Sequence, residues 1–569
     1  MNLSSLVWNN TKIKKMNNFF LLILILLLQS AYGQNKITET QKLVATCKVW
    51  GFLKYYHPEV ACGKFNWDEQ LFKILPKIEN SKNEIEFSLV IERWIEDLGE
   101  IKKIAPIKVS DTIAYFSKNQ DLSWLNKNLL FSKNLRKKLL FIKDNRWQGK
   151  QFYVYTNIDQ IDYSTDGIQL QNEVRYSDFK WDNKNLRILI LFRFWNIIEY
   201  FYPNKYLMEQ SWGKSLNEIL LKFIICETEK SFHDSINEIV VDLNDSHAVY
   251  FPDYKGFSIG KFFLPADFKF IDNKMIITKI LNDSIAKAND LKMGDEITII
   301  DKKLISNIVS ENRKNISGSN NSAYLRNLAT TIRRFKNNKI EVEFVRDSIK
   351  NKIISLYSAN DFFHDYDKKP EHDYEIFENN IGYVNMGCNL KKIMPEMLSK
   401  LRLTKAIIFD LRNYPKNESV NELGVFINNV PKAFAKSTNP DLSYPGRFYW
   451  SKPFILESST EPFGGNVIVL VNEKTQSWSE TIAMYFKTSK KTVIIGSQTA
   501  GADGAVTRIE AMKDVYINFT GAGFYYPDGK EVQRKGIVPD ILCKQTIVGI
   551  REGKDELLER ALNFIKTGK

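Results

Sequence analysis

Val467-Ile-Val-Leu-Val-Asn-Glu-Lys-Thr-Gln-Ser-Trp-Ser-Glu480 joins a short unbroken apolar run to a polar turn and then to the start of a helix. The β-branched run reads as a strand covered on both faces. Ser477, Ser479 and Glu480 stand just ahead of the apolar Ile482, Ala483, Met484 and Phe486, which is how a helix begins. A strand-to-helix elbow of this kind presents a serine Oγ beside free backbone N–H groups, the geometry that acyl transfer needs. The same residues also make an ordinary helix N-cap at Ser477 or Ser479, with Glu480 completing the turn, and N-cap serines outnumber nucleophiles. Downstream, Ile494-Ile-Gly-Ser-Gln-Thr-Ala-Gly-Ala-Asp-Gly504 is a second apolar run that ends in a glycine-rich loop.

Thr475-Gln-Ser-Trp-Ser-Glu480 resembles the Ser-x-Ser-x-Ser-Glu nucleophile motif of the C-terminal processing and tricorn-like serine peptidases (the tail-specific protease superfamily), with threonine at its first position. Lys405-Ala-Ile-Ile-Phe-Asp-Leu-Arg-Asn413 resembles that family's buried strand ending in Asp-Leu-Arg. Gly496-Ser-Gln-Thr-Ala-Gly501 is similar to its Gly-x-x-Thr-x-Gly loop, and Gly536-Ile-Val-Pro-Asp-Ile541 to its C-terminal signature. The four stand in the family's order. The resemblance implies an α/β core of the ClpP/crotonase-like kind, Ser477 as nucleophile, and the backbone N–H of Trp478 as one oxyanion donor.

One departure bears on mechanism. Where the family uses a Ser–Lys dyad, the lysine follows the nucleophile by 25 positions, and here that position is Ala502. Alanine cannot take a proton, so another base is required. Of the five histidines, His57, His233, His364 and His372 lie in contexts that read as helix or loop surface. His247, in Leu243-Asn-Asp-Ser-His-Ala-Val-Tyr-Phe251, resembles the Asp-Ser-His element of the tricorn-like branch, where the histidine is the general base. An unperturbed imidazole pKa of about 6.5 suits that role. The branch also uses a glutamate near the C-terminal signature, acting through the serine before the histidine, here Ser246. Glu531 and Gln533 are both candidates for that position; Glu531 is favoured, and a solvated turn fits the same residues. The family's usual glycine pair after Asp-Leu-Arg is replaced by Asn413-Tyr-Pro-Lys-Asn417, which leaves the second oxyanion donor unassigned.

Upstream, an internal repeat organises the chain. Trp50, Tyr55, Pro58, Trp67, Leu71, Phe87, Asp97 and Leu98 match Trp195, Tyr200, Pro203, Trp212, Leu216, Phe232, Asp242 and Leu243 at a constant offset of 145. Both copies read as helices, with a proline stopping the first. Residues 36–104 form copy 1, 105–184 a β-rich or irregular connector, and 185–255 copy 2, which ends in the Asp-Ser-His element. Copy 1 has Ile101 and Lys102 where copy 2 has Ser246 and His247, so it is expected to be scaffold or gate. Residues 256–352 resemble a PDZ domain through Leu291, Gly294, Asp295 and Ile297, with Ile259, Gly260 and Lys261 as carboxylate-binding loop. A degenerate PDZ acting only as lid or spacer fits as well. The catalytic domain is expected over 370–569, with a terminal helix from Arg551 to Ile565.

Composition bounds the rest. The 569 residues are 44% hydrophobic and 13% aromatic, enough for several cores. The net charge of +13 is spread among interspersed acids and bases with no basic stripe, which argues against nucleic acid as partner. Residues 1–33 read as a secretory signal peptide: Lys12-Ile-Lys-Lys-Met16, an apolar core from Phe19 to Leu28, and small residues before a cleavage after Gly33, with Met16 a second candidate start. The ten-residue apolar core is short for a span, and no cysteine follows it to carry a lipid. An exported protein, periplasmic or extracellular, is expected, touching membrane only through that leader. Cys47, Cys62, Cys226, Cys388 and Cys543 lack metal-ligand spacing, so no metal and no cofactor is expected. Cys47 and Cys62 fit a disulfide or separate thiols equally, and nothing around Cys388 resembles a thiol-protease motif. The sequence does not set the oligomeric state. The expected activity is serine-type endopeptidase, acting on peptide or protein substrates. A catalytically inactive peptide-binding protein of the same fold and an esterase-like hydrolase are the rivals; no lipase-type Gly-x-Ser-x-Gly supports the latter.

Overall fold

The computed structural model describes residues 37–107, 111–156, 167–252, 260–346, 348–358, 373–416 and 421–569. The signal-peptide segment, Ile259, His364 and His372 lie outside them. The architecture is mixed helix and sheet.

Helices Glu39–Tyr56 and Trp67–Asn80, and their counterparts Lys184–Phe201 and Trp212–Ile224, are clasped in the same way. Trp50 Nε1 donates to the Trp67 carbonyl at 3.3 Å and Trp67 Nε1 to the Trp50 carbonyl at 3.1 Å. Trp195 and Trp212 exchange the same bonds at 3.0 and 2.9 Å, and in each pair the rings stack at 6.3 Å. A buried indole needs a partner for its one donor, and this exchange satisfies two at once. The two long helices meet where Gly51 faces Asn196, whose amide donates to the Cys47 and Phe192 carbonyls at 3.1 and 2.9 Å. Cys47 is buried and Cys62 exposed, each a free thiol.

His57 and His233 are not on the surface as expected. Both are buried: His57 follows a helix covered on nearly every side, and His233 lies on the buried face of helix Glu229–Val241, where its Nδ1 meets the Tyr250 hydroxyl. Burial pushes each imidazole down to about 4. Both are therefore neutral in the fold, while an unfolded chain takes up protons near 6.5. The stability this confers is complete above about pH 6.5 and is lost as pH falls toward 4, about 3 kcal/mol for His57. Urea midpoints measured from pH 7.5 to 4.5 should drop accordingly, and His57→Leu should flatten part of that slope.

Residues 260–358 hold an antiparallel sheet in the order Ile349–Ser355, Lys339–Val345, Glu296–Ile300, Lys274–Ile280, Ala266–Ile271. Helix Asn321–Ile332 packs on the last strand, an edge of this sheet. Gly294, at φ 82°, makes the turn that buries Asp295 against Arg346, at 2.6 Å.

The sheet that carries the elbow runs Tyr374–Phe377, Ile381–Asn385, Ala406–Asp410, Asn466–Val471, Thr492–Gly496, Ile541–Leu542, parallel except for its first strand. Its unbroken apolar runs follow from two covered faces. Val467, Val469 and Val471 pack with Ile482 and Phe486 of helix Trp478–Lys487, whereas Ile468 and Leu470 pack with Ala561 of helix Glu556–Thr567. The terminal helix expected from Arg551 to Ile565 is two helices: Ile547–Arg551 ends before Gly553 at φ 69°, and Asp555 caps Glu556–Thr567.

Strand Val249–Pro252, just past His247, pairs antiparallel with Val515–Thr520. Ile509, Ala511, Val515, Ile517 and Phe519 share one core with the N-terminal helices. A hairpin from late in the chain thus anchors the Asp-Ser-His segment beside the parallel sheet.

Candidate active site

Strand Asn466–Val471 ends, and after a five-residue turn Ser477 becomes the N-cap residue of helix Trp478–Lys487. Its backbone is at φ 56°, ψ −124°, a left-handed conformation that costs a side-chain-bearing residue on the order of 1–3 kcal/mol. The surroundings hold it there. The Ser477 N–H donates to the Ala502 carbonyl at 2.9 Å and to Glu480 Oε2 at 3.2 Å. Ser477 is therefore the cap by position, as the plain reading had it, and with Glu480 at the third helical position it forms a capping box.

The motifs quoted from the sequence are tied to one another here. Thr475 Oγ1 donates to the Leu411 carbonyl at 2.9 Å, fastening the Asp-Leu-Arg loop to the elbow. Glu480, fully buried, accepts from Gly501 and Ala502 N–H at 2.9 and 3.0 Å and from Thr499 Oγ1. Burial pushes this carboxyl up, against those hydrogen bonds. Thr499 Oγ1 also accepts from Ile537 N–H at 2.7 Å, and Asp540 Oδ2 from Ile494 N–H at 2.9 Å. Asp410 and Asp555 both grip Arg412, at 2.7 Å each, so the Asp-Leu-Arg charges brace the fold. Ala502, where a dyad lysine would stand, is buried against the elbow through its backbone alone.

His247 is positioned by a chain of hydrogen bonds. Its Nδ1 lies 3.0 Å from Thr520 Oγ1, and Thr520 Oγ1 donates to Asp245 Oδ1 at 3.0 Å. With the threonine proton committed to the carboxylate, Thr520 Oγ1 accepts from Nδ1–H, which leaves the lone pair on Nε2. Asp245 is fully buried and also accepts from His247 N–H at 3.0 Å, Thr520 N–H at 2.7 Å and Gln533 Nε2 at 3.1 Å. Burial lowers the His247 pKa; the Asp245 charge opposes this and the Arg326 guanidinium adds to it. Arg326 also donates to Gln476 Oε1 at 2.6 Å, so one cation stands beside the histidine and beside the residue before Ser477.

The other expected site residues fall differently. Ser246 exchanges bonds with Ser319, N–H to Oγ at 2.7 and 2.9 Å, and among the described residues none joins it to a glutamate. Glu531 faces Lys118 at 2.9 Å and Lys535 at 3.1 Å, and these cations hold its carboxyl at about 2. Gln533, the alternative, is the one that reaches the histidine's network, through Asp245. Asp245 and Thr520 are the residues that sequence reasoning passed over. Asp245 stood in the quoted Asp-Ser-His, but Thr520 becomes its neighbour only through the pairing of Val249 with Asn518.

A cleft of about 470 Å³ opens beside the site. It lies between the edge strand Ala266–Ile271 and helix Asn321–Ile332, and Arg412, Asn472 and Glu473 close its far side. Gly260 and Lys261 do not line it; Gly260 packs against the Phe335 backbone, ahead of the short strand Phe262–Phe263.

Residues 380–543 match the model of Peptidase family S41. The chain is 23% identical over 381 residues to a carboxy-terminal-processing protease of Bartonella bacilliformis, covering 62% of this chain and 79% of that protein. It is 24% identical over 350 residues to a probable CtpA-like serine protease of Staphylococcus haemolyticus, covering 60% of this chain and 63% of that one. Among solved structures, mature CPAF complexed with lactacystin is similar in fold at a TM-score of 0.52 and 14% identity, covering 68% of this chain and 99% of that one. The elbow at Ser477 lies within the matched segment, so residues 380–543 resemble a Peptidase family S41 domain, and the relatives support a serine-type peptidase.

Proposed function

We propose that this chain is an exported endopeptidase that cleaves extended peptides through an acyl-enzyme on Ser477, with His247 as general base. The observation that carries the reading is the left-handed Ser477 at a strand-to-helix elbow, a strained conformation that a mere cap does not need. His247 Nε2 takes the Oγ proton, Oγ attacks the peptide carbonyl, and the Trp478 N–H stabilises the developing oxyanion. The imidazolium then protonates the leaving amine, and a water activated by the same nitrogen releases the acyl group. Thr520 and Asp245 keep the imidazole in the required tautomer throughout, as positioning residues.

The PDZ-like region would supply the substrate's track. An extended peptide can pair with the free edge of strand Ala266–Ile271, in the cleft under helix Asn321–Ile332. Copy 1 of the repeat serves as scaffold, since it lacks the serine and histidine of copy 2.

Two measurements test this. Peptide hydrolysis should exceed hydrolysis of a matched ester relative to the uncatalysed rates, and His247→Ala should remove it; near-normal turnover in that variant contradicts the assignment. The acid limb of kcat/KM should fall below pH 6.5, because the neutral imidazole is the active form and burial favours it. A limb at or above pH 7 would place the base elsewhere.

A further inference from the structure

Asp503 is buried, and it directly follows Ala502, whose carbonyl receives the Ser477 N–H at 2.9 Å. Loop and helix are zipped together at this point. Glu480 accepts from the Gly501 and Ala502 N–H groups, and the next helical residue, Thr481, turns its hydroxyl to Asp503. Thr481 Oγ1 lies 3.0 Å from Asp503 Oδ1 and 2.8 Å from Oδ2, while the Gly504 N–H donates to Oδ1 at 2.7 Å. A hydroxyl has one proton and cannot donate to both oxygens at full strength. A proton on Oδ2 turns the shorter contact into a donation from the acid to Thr481 Oγ1.

The charge balance points the same way. Glu480 and Asp503 are both buried in this zip, and neither has a cationic partner among the described residues. Position 502 is alanine, so the loop supplies no ammonium to balance them. Two such carboxyls do not both ionise, and the proton goes to the one with fewer donors. Glu480 accepts from the Ser477, Gly501 and Ala502 N–H groups and from Thr499 Oγ1, whereas Asp503 has the Gly504 N–H and one hydroxyl. Burial, with the Glu480 charge behind it, pushes the Asp503 carboxyl well above the usual carboxylate range. The phenols of Tyr414 and Tyr526 also feel its charge, and the Arg326 guanidinium feels that of Glu480.

We propose that Asp503 works as a neutral carboxylic acid whose proton fastens the 501–504 loop to the first turn of helix Trp478–Lys487, and so positions the Ser477 elbow. The proposal rests on the reading of Ser477 as nucleophile. Loss of the proton sets a second charge beside Glu480 with no water to screen it. The loop then moves off the helix, and the Ala502 carbonyl that holds the strained serine moves with it.

The experiment compares wild type, Asp503→Asn and Asp503→Ala by urea denaturation from pH 5 to pH 10, and by kcat and KM on a chromogenic peptide. The unfolded chain gives up the Asp503 proton at about pH 4 while the folded chain keeps it, so wild type loses stability relative to Asp503→Asn as pH rises. The ratio of their folding constants should grow by up to about tenfold per pH unit and level off once the folded acid ionises. The buried histidines are common to both proteins and cancel. A ratio that does not change with pH would overturn the proposal. So would an Asp503→Asn protein that fails to fold at pH 7, since the site would then need a carboxylate. At pH 7 Asp503→Ala should lose about tenfold in kcat with KM unchanged, and the amide should restore it; an alanine variant as active as wild type would overturn the positioning role. Wild-type kcat should hold while the ratio widens and fall where it levels off, with Asp503→Asn unaffected; a wild-type plateau that outlasts the levelling contradicts the role as well. Labelling by an alkyl fluorophosphonate separates this from the peptidase reading. Ser477 labelled beside a flat ratio removes the acid alone, whereas a folded wild type that is never labelled removes the reading and the positioning role with it.

Discussion

Ser477→Gly is expected to abolish peptide hydrolysis while making the fold more stable by about 1 kcal/mol. The loss follows from removal of the only atom that bonds the acyl group; in serine peptidases such removal costs on the order of 10⁶ in kcat. The gain follows from the backbone. Ser477 sits at φ 56°, where glycine avoids the steric cost that any Cβ brings, and the bonds that hold the elbow come from its backbone N–H and from neighbours. Glycine's larger unfolded-state entropy takes back part of this, which keeps the expected gain modest. Ser477→Ala retains the Cβ, so it should lose activity equally with no rise in stability. Urea denaturation of the three proteins measures the difference. A Ser477→Gly protein less stable than Ser477→Ala would mean that the elbow is not strained.

Asp245→Asn is expected to lower kcat by roughly 10³–10⁴, the scale seen when a histidine's orienting carboxylate becomes an amide. Thr520 Oγ1 now donates to Asp245 Oδ1 and receives the Nδ1 proton of His247. An amide turned toward Thr520 donates instead. The threonine proton then points at Nδ1, the ring carries its own proton on Nε2, and the base is lost. Thr520→Val breaks the same chain at its middle and should show a large loss of the same kind. Glu531→Gln gives the contrast: its carboxylate is engaged with Lys118 and Lys535, so kcat should stay within about twofold of wild type, as expected for a partly exposed ion pair. Kinetics on variants first shown to melt like wild type decide the matter. A Glu531→Gln enzyme as impaired as Asp245→Asn would return the orienting role to the glutamate.

The parallel sheet and the elbow were legible because their signals are local. Val467 to Val471 is apolar at every position since alternate residues meet different helices, and Ser477 falls where the strand pattern gives way to the helix pattern. The clasped tryptophans were legible as spacing, because each copy makes its exchange between helices a fixed distance apart in sequence. His247 came from its motif and from the alanine at position 502. Its orienting partners were not legible, because Thr520 joins Asp245 only through strand pairing across more than two hundred residues, and no local pattern encodes such a register. Glu531 misled for a related reason. A carboxylate near a signature carries its charge in the sequence, but its partner Lys118 lies in a distant connector with no repeating pattern. The buried His57 and His233 were misjudged because a histidine among polar neighbours reads as surface, whereas His57 ends an enclosed helix and His233 falls on the buried face of its own.

The most direct test of the central claim is acid-quench trapping of the acyl-enzyme during turnover of a peptide, followed by mass spectrometry of the digested protein. The account predicts one acyl group, carried on the peptide containing Ser477, absent in Ser477→Ala and accumulating far more slowly in His247→Ala. An acyl group mapped to any other residue, or peptide cleavage that proceeds unchanged in Ser477→Ala, would contradict it.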